Sequence, residues 1–150
     1  MTEQVTRTII VKADADRAFQ AWENFENFPM FMEHVKSVRM IGPKTSHWEV
    51  EGPLGKTVEW DAETTTVDVN KRIAWNTKDS EDSDVTTSGQ VSFNSLPHGE
   101  TEVTVTLQYK PQAGVAGNLV AKLFANPEKQ LEEDLQNFKK YIEGMQDRIN

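Results

Sequence analysis

The chain has 150 residues, which fits one domain spanning residues 1–150 and is long enough to bury a core without cross-links. It contains no cysteine, which excludes disulfide bonds and thiolate chemistry. Its 16 basic and 24 acidic residues give a net charge of −8, which argues against a nucleic-acid partner because phosphate-backbone binding needs clustered Lys and Arg.

The N-terminal segment predicts a strand followed by two short helices. Residues 3–12 are β-branched and alternate in polarity, which is typical of a strand. The only apolar run there, residues 9–11, is too short for a signal peptide or a membrane span, so we expect a cytoplasmic protein without stable membrane insertion. A helix is predicted over 15–23, capped by Asp14 or Asp16, and a second short helix or turn over 25–33.

Residues 35–111 predict an antiparallel meander, because short strands at regular spacing are separated by turn residues. The predicted strands cover residues 35–41, 46–51, 56–69, 72–78, 86–95 and 101–110. Gly-Pro pairs at 42–43 and 52–53, the pair Asn70-Lys71 and the residues 96–99 supply the turns, and the charged stretch 79–84 predicts a solvated loop.

Alternation along these strands predicts one apolar and one acidic face. The apolar face carries three tryptophans, Trp48, Trp60 and Trp75, on three consecutive strands. The opposite face carries Glu49, Glu51, Glu59, Asp61 and Glu63. A register slip of one residue would bury these carboxylates, so the assignment of the faces is well determined.

After Pro111 the sequence predicts a long C-terminal helix with a single apolar stripe. The residues Asn126-Pro127-Glu128 resemble a cap, a first-turn proline and a first-turn acid, so we expect the helix to kink or restart near residue 126. Gly114, Gly117 and Pro127 also suggest that residues 114–126 form either a movable gate or an ordinary flexible helix entry.

This order of elements resembles the START-like helix-grip superfamily (SRPBCC), which includes polyketide cyclases/dehydrases. The nearest likeness is to uncharacterised bacterial cyclase/dehydrase-like proteins. The resemblance covers essentially the whole chain and rests on AWENFENFPMFMEHVKSV (21–38), HW (47–48), GPLGKTVEWDAE (52–63), RIAW (72–75), SGQVSF (88–93) and NPEKQLEEDLQNFKKYIE (126–143).

The resemblance implies an α+β helix-grip fold, with a curved antiparallel sheet of about seven strands around the long C-terminal helix and two short helices after strand 1. It also implies a cavity between sheet and helix that binds lipids, sterols, polyketides or quinones. By position, the expected ligand-binding residues are Phe31, Trp48, Val50, Trp60, Trp75, Phe93, Val105, Leu107, Val120 and Phe124. The tryptophans alternatively fill a packed core.

Catalytic signals in the sequence are weak. The three histidines have neither metal-ligand spacing nor a cysteine partner, and no nucleophile elbow or phosphate-binding loop occurs, so we expect no metal or organic cofactor. His34 follows the second short helix and is the one candidate general acid or base, although its position favours a surface or capping role. His47 is expected on the outer face, and His98 in a solvated turn.

Three functions therefore compete. The first is a carrier or sensor that binds a hydrophobic or amphipathic small molecule, and the second is a polyketide-type cyclase or dehydratase acting without a cofactor. The third is a protein-interaction domain that acts through the exposed sheet or through an exposed apolar patch in FPMFM (28–32). The sequence leaves ligand identity open, and the oligomeric state open between monomer and homodimer.

Overall fold

The computed structural model describes residues 3–51, 57–77, 85–111 and 127–149. Seven strands and two α-helices account for most of this part of the chain. In order they are β1 (Glu3–Val11), α1 (Ala15–Glu23), a 3₁₀ helix (Phe25–Met30), β2 (Val35–Met40), β3 (Thr45–Glu51), β4 (Thr57–Asp68), β5 (Arg72–Thr77), β6 (Val85–Leu96), a 3₁₀ turn (Pro97–Gly99), β7 (Glu100–Pro111) and α2 (Pro127–Ile149).

The strands form one antiparallel sheet in the order β1-β7-β6-β5-β4-β3-β2. Strands β2 to β7 are neighbours in sequence and in space, as expected for a meander, while β1 pairs with the last strand. The two ends of the sheet are therefore β1 and β2, and α1 with the 3₁₀ helix connects them. The predicted helix-grip architecture, a curved seven-stranded sheet with a C-terminal helix packed on it, is confirmed.

The strand register confirms the predicted apolar face. Trp48 pairs with Trp60, Ile73 with Val91, and Val91 with Val105. Directly opposed residues of an antiparallel pair project from the same face. The tryptophan-bearing strands and the valine-rich strands thus share one inner face, which α1 and α2 cover.

Helix α2 packs on the inner face through four buried residues spaced by four, three and four: Leu131, Leu135, Phe138 and Ile142. Its polar side chains also reach the edge strand β1. The Lys139 ammonium donates to the carbonyl of Ile10 (3.1 Å), and the Glu143 carboxylate accepts from the amide of Lys12 (2.9 Å). These bonds use one backbone group within the edge strand and one directly after it, so α2 covers the end of that edge.

Helix α1 begins after Asp14 as predicted, but the expected side-chain cap is wrong. The Asp14 side chain makes no capping hydrogen bond, and its backbone carbonyl instead accepts from the amides of Arg17 and Ala18. The Asp16 carboxylate accepts from the amide of Arg17, its immediate neighbour. The helix is held by its buried face, chiefly Phe19 and Trp22, rather than by a cap.

The FPMFM segment is largely buried. Phe28 and Phe31 are both in the core, and Met30 alone of the five is strongly exposed, at 68%. Because Phe28 and Phe31 pack against Trp22, they are not available for a surface patch. The basis for a protein-interaction role of this segment is therefore removed.

Three predicted features lie outside the described residues: the glycine-proline turn at 52–55, the acidic loop at 79–84 and the gate at 114–126. Helix α2 does begin at Pro127, with Glu128 in its first turn, as the sequence predicted.

Candidate functional site

The site begins with two tryptophans stacked on neighbouring strands. The rings of Trp48 and Trp60 are parallel to within 8°, and their centroids are 5.9 Å apart. The Trp48 indole N–H donates to the hydroxyl of Ser46 (2.9 Å), a buried residue on the same face of β3. The pair forms a flat wall, and the hydrogen bond to Ser46 satisfies the polar atom of Trp48.

The third tryptophan, Trp75, lies opposite Gly89, the only glycine within β6. A Cβ atom at position 89 would come within 2.7 Å of both the Thr106 carbonyl oxygen and the Trp75 ring. Because Gly89 has no side chain, the Trp75 indole can lie directly against the backbone of β6. Glycines inside strands often mark such close approaches.

Substituting Gly89 by Ala is expected to lower the free energy of unfolding by about 1–3 kcal/mol, because the new methyl group meets a backbone carbonyl that cannot move freely. Gly144→Ala is the control, because a Cβ atom added at this position of α2 would have no neighbouring atom within 4 Å. Urea denaturation measures both variants. At position 144 alanine should stabilise by up to about 1 kcal/mol through helix propensity. Equal effects of the two substitutions would contradict the packing argument.

These rings line a cavity of about 150 Å³ between the sheet and the helices. The lining side chains are mostly apolar, and the few polar ones include Gln130 and Asp134 of α2. The lining residues are Val5, Trp22, Phe28, Met32, His34, Val35, Trp48, Val50, Trp60, Trp75, Val105, Leu107, Gln108, Gln130, Leu131 and Asp134.

The structure brings together six of the ten residues predicted to bind a ligand: Trp48, Val50, Trp60, Trp75, Val105 and Leu107. Two others lie outside this lining. Phe31 packs among Trp22, Phe138 and Tyr141, and Phe93 packs edge-on against Phe19. Val120 and Phe124 lie outside the described residues.

A carboxyl group in the cavity was not predicted. Asp134 lies on α2 between Leu131 and Phe138, and burial raises its pKa from 3.8 to about 7. The Gln130 side-chain amide donates to its Oδ1 at 3.1 Å, and the charge of His34 lowers the pKa in part. The Asp134 carboxyl therefore changes its protonation state near neutral pH.

His34, the candidate acid or base from the sequence, also lines the cavity and is half-buried. It interacts electrostatically with Asp134, so the two titratable groups share one side of the site. A carboxyl group with a pKa near 7 beside a histidine in a cleft is the arrangement that acid–base chemistry uses.

The second unpredicted group is the indole N–H of Trp22. The Trp22 side chain is 1% exposed, and its Nε1 has no hydrogen-bond partner in the part of the chain that the structure describes. A buried donor without an acceptor costs about 1–3 kcal/mol of stability. Because the ring is packed against Phe28, Phe31 and Phe138, this cost is a consequence of how the aromatic core is packed.

The outer face of the sheet carries a separate polar cluster. His47 Nδ1 lies 2.6 Å from an Asp61 oxygen, and its Nε2 lies 3.1 Å from a Glu59 oxygen. His47 faces outward, as predicted. One nitrogen of His47 and the carboxylates of Glu49 and Glu59 also lie within 4.8 Å of one another, and this is the one group of metal-ligand type among the described residues. Both ring nitrogens of His47 already lie against carboxylate oxygens. The cluster is therefore explained as an ion-pair network.

The Asp61 hydrogen bond, followed by that of Glu59, raises the pKa of His47 above 6.5. An NMR titration of its ring protons is expected to show this raised pKa, and Asp61→Asn should move it back toward 6.5. The sign of the linkage follows: the stabilisation is fully present below pH 6.5 and is lost as pH rises through the folded-state pKa. Glu51 is exposed and lies on the same strand as His47, so Glu51→Gln should leave the titration of His47 unchanged.

Among the described helices, none is both long and apolar enough to cross a membrane. The helices instead place their apolar sides against the sheet and the cavity.

Comparison with known proteins agrees with this architecture. Residues 11–136 match the family described as polyketide cyclase/dehydrase and lipid transport. An uncharacterised 17.2 kDa protein of Streptomyces lincolnensis is 30% identical over 140 residues, which cover 93% of this chain and 89% of that protein.

Solved structures show the same fold. A crystal structure from Deinococcus radiodurans has a TM-score of 0.74 at 32% identity and covers 95% of this chain and 99% of its own. The ZhuI aromatase/cyclase of a Streptomyces species has a TM-score of 0.78 at 20% identity, over 95% of this chain and 94% of its own. The chain therefore belongs to the polyketide cyclase/dehydrase and lipid transport family of START-like, helix-grip proteins.

Proposed function

We propose that this protein binds a hydrophobic or amphipathic small molecule, lipid- or polyketide-like, in the cavity between the sheet and α2, and acts as a carrier or sensor in the cytoplasm. The observation that carries the proposal is the cavity itself, which has three sheet tryptophans on its wall and few polar groups. Such a composition is typical of small-molecule sites.

Packing around the cavity supports the proposal. The inner face buries Val50, Val58 and Trp60 beside the cavity, and Trp48 is fixed by its bond to Ser46. A cavity with walls held in this way is preformed, so a ligand would bind without paying to order the side chains. The family description includes lipid transport, and we extend that coarser role to this chain.

The test is native mass spectrometry of the purified protein, followed by solvent extraction of any bound molecule. We expect a discrete bound mass that disappears in Leu107→Trp, because Leu107 lines the cavity and an indole there would fill it. The matched control is Ile10→Trp, which adds the same side chain at a position 45% exposed to solvent.

Two outcomes would contradict the proposal. In the first, the bound mass persists in Leu107→Trp, which would place the molecule elsewhere. In the second, the wild-type protein carries no bound mass and binds none of a panel of neutral apolar compounds. Circular dichroism of both variants shows whether each remains folded.

One observation favours a second candidate function, that of a cofactor-independent cyclase or dehydratase. Asp134, with a pKa of about 7, shares the cavity with His34, and general acid–base catalysis works best with a pKa near the working pH. Turnover of a poly-β-keto substrate should then fall on His34→Ala and on Asp134→Asn, and persist in Glu132→Gln, an exposed change on the same helix. No turnover across a substrate panel would leave binding as the function.

A further inference from the structure

We propose that the cavity selects molecules with a cationic head, an ammonium group on an apolar body, and that the Asp134 carboxylate is the counter-ion of this head. The inference rests on the proposed function, because it names the chemical class of the ligand in the same cavity. Hydrogen bonding, charge and the aromatic lining each support it.

Asp134 lines the cavity with part of its hydrogen-bonding capacity unused. The side-chain amide of Gln130 donates to Oδ1 at 3.1 Å, and the carboxyl forms no other hydrogen bond and no salt bridge with the described residues. A carboxylate has two oxygens that can each accept more than one hydrogen bond. An ammonium group has only donors, so it supplies what this carboxylate lacks.

The charges around the carboxyl favour a cation. No lysine or arginine lines the cavity among the described residues, and His34 is the one lining side chain that can become positive. Glu33 and Glu133 lie near enough to Asp134 to raise its pKa further. Three acids and one histidine therefore attract a cationic head and repel an anionic one.

The raised pKa of Asp134 is the result of this incomplete pairing. In the free protein the carboxyl is charged mainly above its pKa of about 7, because partial burial disfavours the charged form. An ammonium group beside the carboxyl stabilises the charged form and lowers the pKa. Binding below pH 7 would therefore release the proton of Asp134 and form a charge-assisted hydrogen bond in its place.

The aromatic lining suits the rest of such a ligand. Trp48, Trp60 and Trp75 line the same cavity as Asp134. Indole rings attract cations through their quadrupole, and they also pack against apolar groups. The cavity volume of about 150 Å³ matches engineered protein cavities that accept benzene, so a one-ring probe fits.

Three one-ring probes of nearly equal size test the sign of the charge. Benzylamine has a cationic head at pH 8, benzyl alcohol a neutral head and benzoate an anionic head. In isothermal titration calorimetry at pH 8 we expect benzylamine to bind about ten-fold more tightly than benzyl alcohol, because the ion pair adds to the hydrogen bond that both heads can donate. Benzoate should bind most weakly of the three.

The affinity for benzylamine should also depend on pH with a defined sign. At pH 6 the Asp134 carboxyl of the free protein is mostly protonated, so the affinity should be about ten-fold lower than at pH 8. Calorimetry at pH 6 in buffers of different ionisation enthalpy should detect the released proton with benzylamine and not with benzyl alcohol. A positive His34 would repel the cationic head in the same pH range, so the titration is repeated in His34→Gln, where the loss of affinity should remain.

Variants assign the preference to Asp134. Asp134→Asn keeps the size of the side chain and an oxygen that accepts from Gln130, but it removes the charge. In this variant benzylamine and benzyl alcohol should bind about equally at pH 8, and no proton should be released at pH 6. Glu132→Gln is the matched control, because it removes a charge from an exposed position of the same helix and should keep the full preference. Circular dichroism shows whether both variants are folded.

The inference is overturned if benzyl alcohol or benzoate binds as tightly as benzylamine at pH 8, or if Asp134→Asn keeps the preference for benzylamine. In these outcomes the proposed function survives, since the cavity still binds an amphipathic molecule. If none of the three probes binds, the inference also fails. The proposed function then depends on the native mass measurement alone, so the two failures are distinguishable.

Discussion

Asp134→Asn is expected to raise the free energy of unfolding at pH 8 by about 2–4 kcal/mol and to change it little at pH 4. The reason is that the carboxyl is half-buried beside an apolar cavity, where partial removal from water disfavours the charged form. Asparagine is uncharged at every pH, and its side-chain oxygen can still accept from Gln130.

The sign of the effect follows from proton binding. The pKa of the Asp134 carboxyl is about 7 in the folded protein, compared with an ordinary value of 3.8. Between these values the folded state binds more protons than the unfolded state, so stability falls as pH rises from about 4 to 7 and levels off above it. The difference in stability between wild type and Asp134→Asn should follow that curve.

Glu132→Gln is the matched control for this experiment. It removes one negative charge from the same helix, but at an exposed position. Its effect should stay within about 0.5 kcal/mol at both pH values. Urea titrations at pH 4, 6 and 8 measure all three proteins. If Asp134→Asn were destabilising by a similar amount at every pH, the carboxyl would be acting as a hydrogen-bond acceptor rather than as a buried charge.

The sheet could be predicted from the sequence because a strand has a period of two. Trp48 and Trp60 fall on the apolar side of two strands whose other side is acidic, and a shift by one residue would bury Glu49 and Glu59. The observed pairing of Trp48 with Trp60 satisfies this constraint. Topology then followed from the spacing of the turns.

The polar groups of the cavity could not be predicted in the same way. Asp134 is three residues after Leu131 and four before Phe138, so it falls on the buried side of α2 by helical spacing. This helical spacing is the signal in the sequence from which the position of Asp134 could have been predicted. An acidic residue at the margin of an apolar stripe is usually solvated, however, and its burial depends on how α2 lies against the sheet.

Contacts that depend on packing partners were also beyond the sequence. The periodicity of α1 predicts that Trp22 is buried, but whether its N–H finds an acceptor is decided by residues from other elements. Phe93 is a second residue whose packing partner could not be predicted from the sequence. It shares a face with the cavity residues, yet its ring packs against Phe19, because a shared face does not determine which side chains fill the core and which line a cavity.

The second large effect is expected at Phe138, the residue that joins α2 to the aromatic core. Its side chain is fully buried, and its ring lies 5.2 Å from the rings of both Trp22 and Phe31. Phe138→Ala is expected to lower the free energy of unfolding by about 3–5 kcal/mol, because the transfer free energy of the ring is lost and a cavity remains.

Two further variants separate packing from the mere removal of an apolar side chain. Phe138→Leu keeps much of the volume and should cost clearly less than Phe138→Ala, whereas Met30→Ala, at a position 68% exposed, should stay within about 0.5 kcal/mol. A loss below about 1 kcal/mol for Phe138→Ala would mean that α2 is not anchored through this ring.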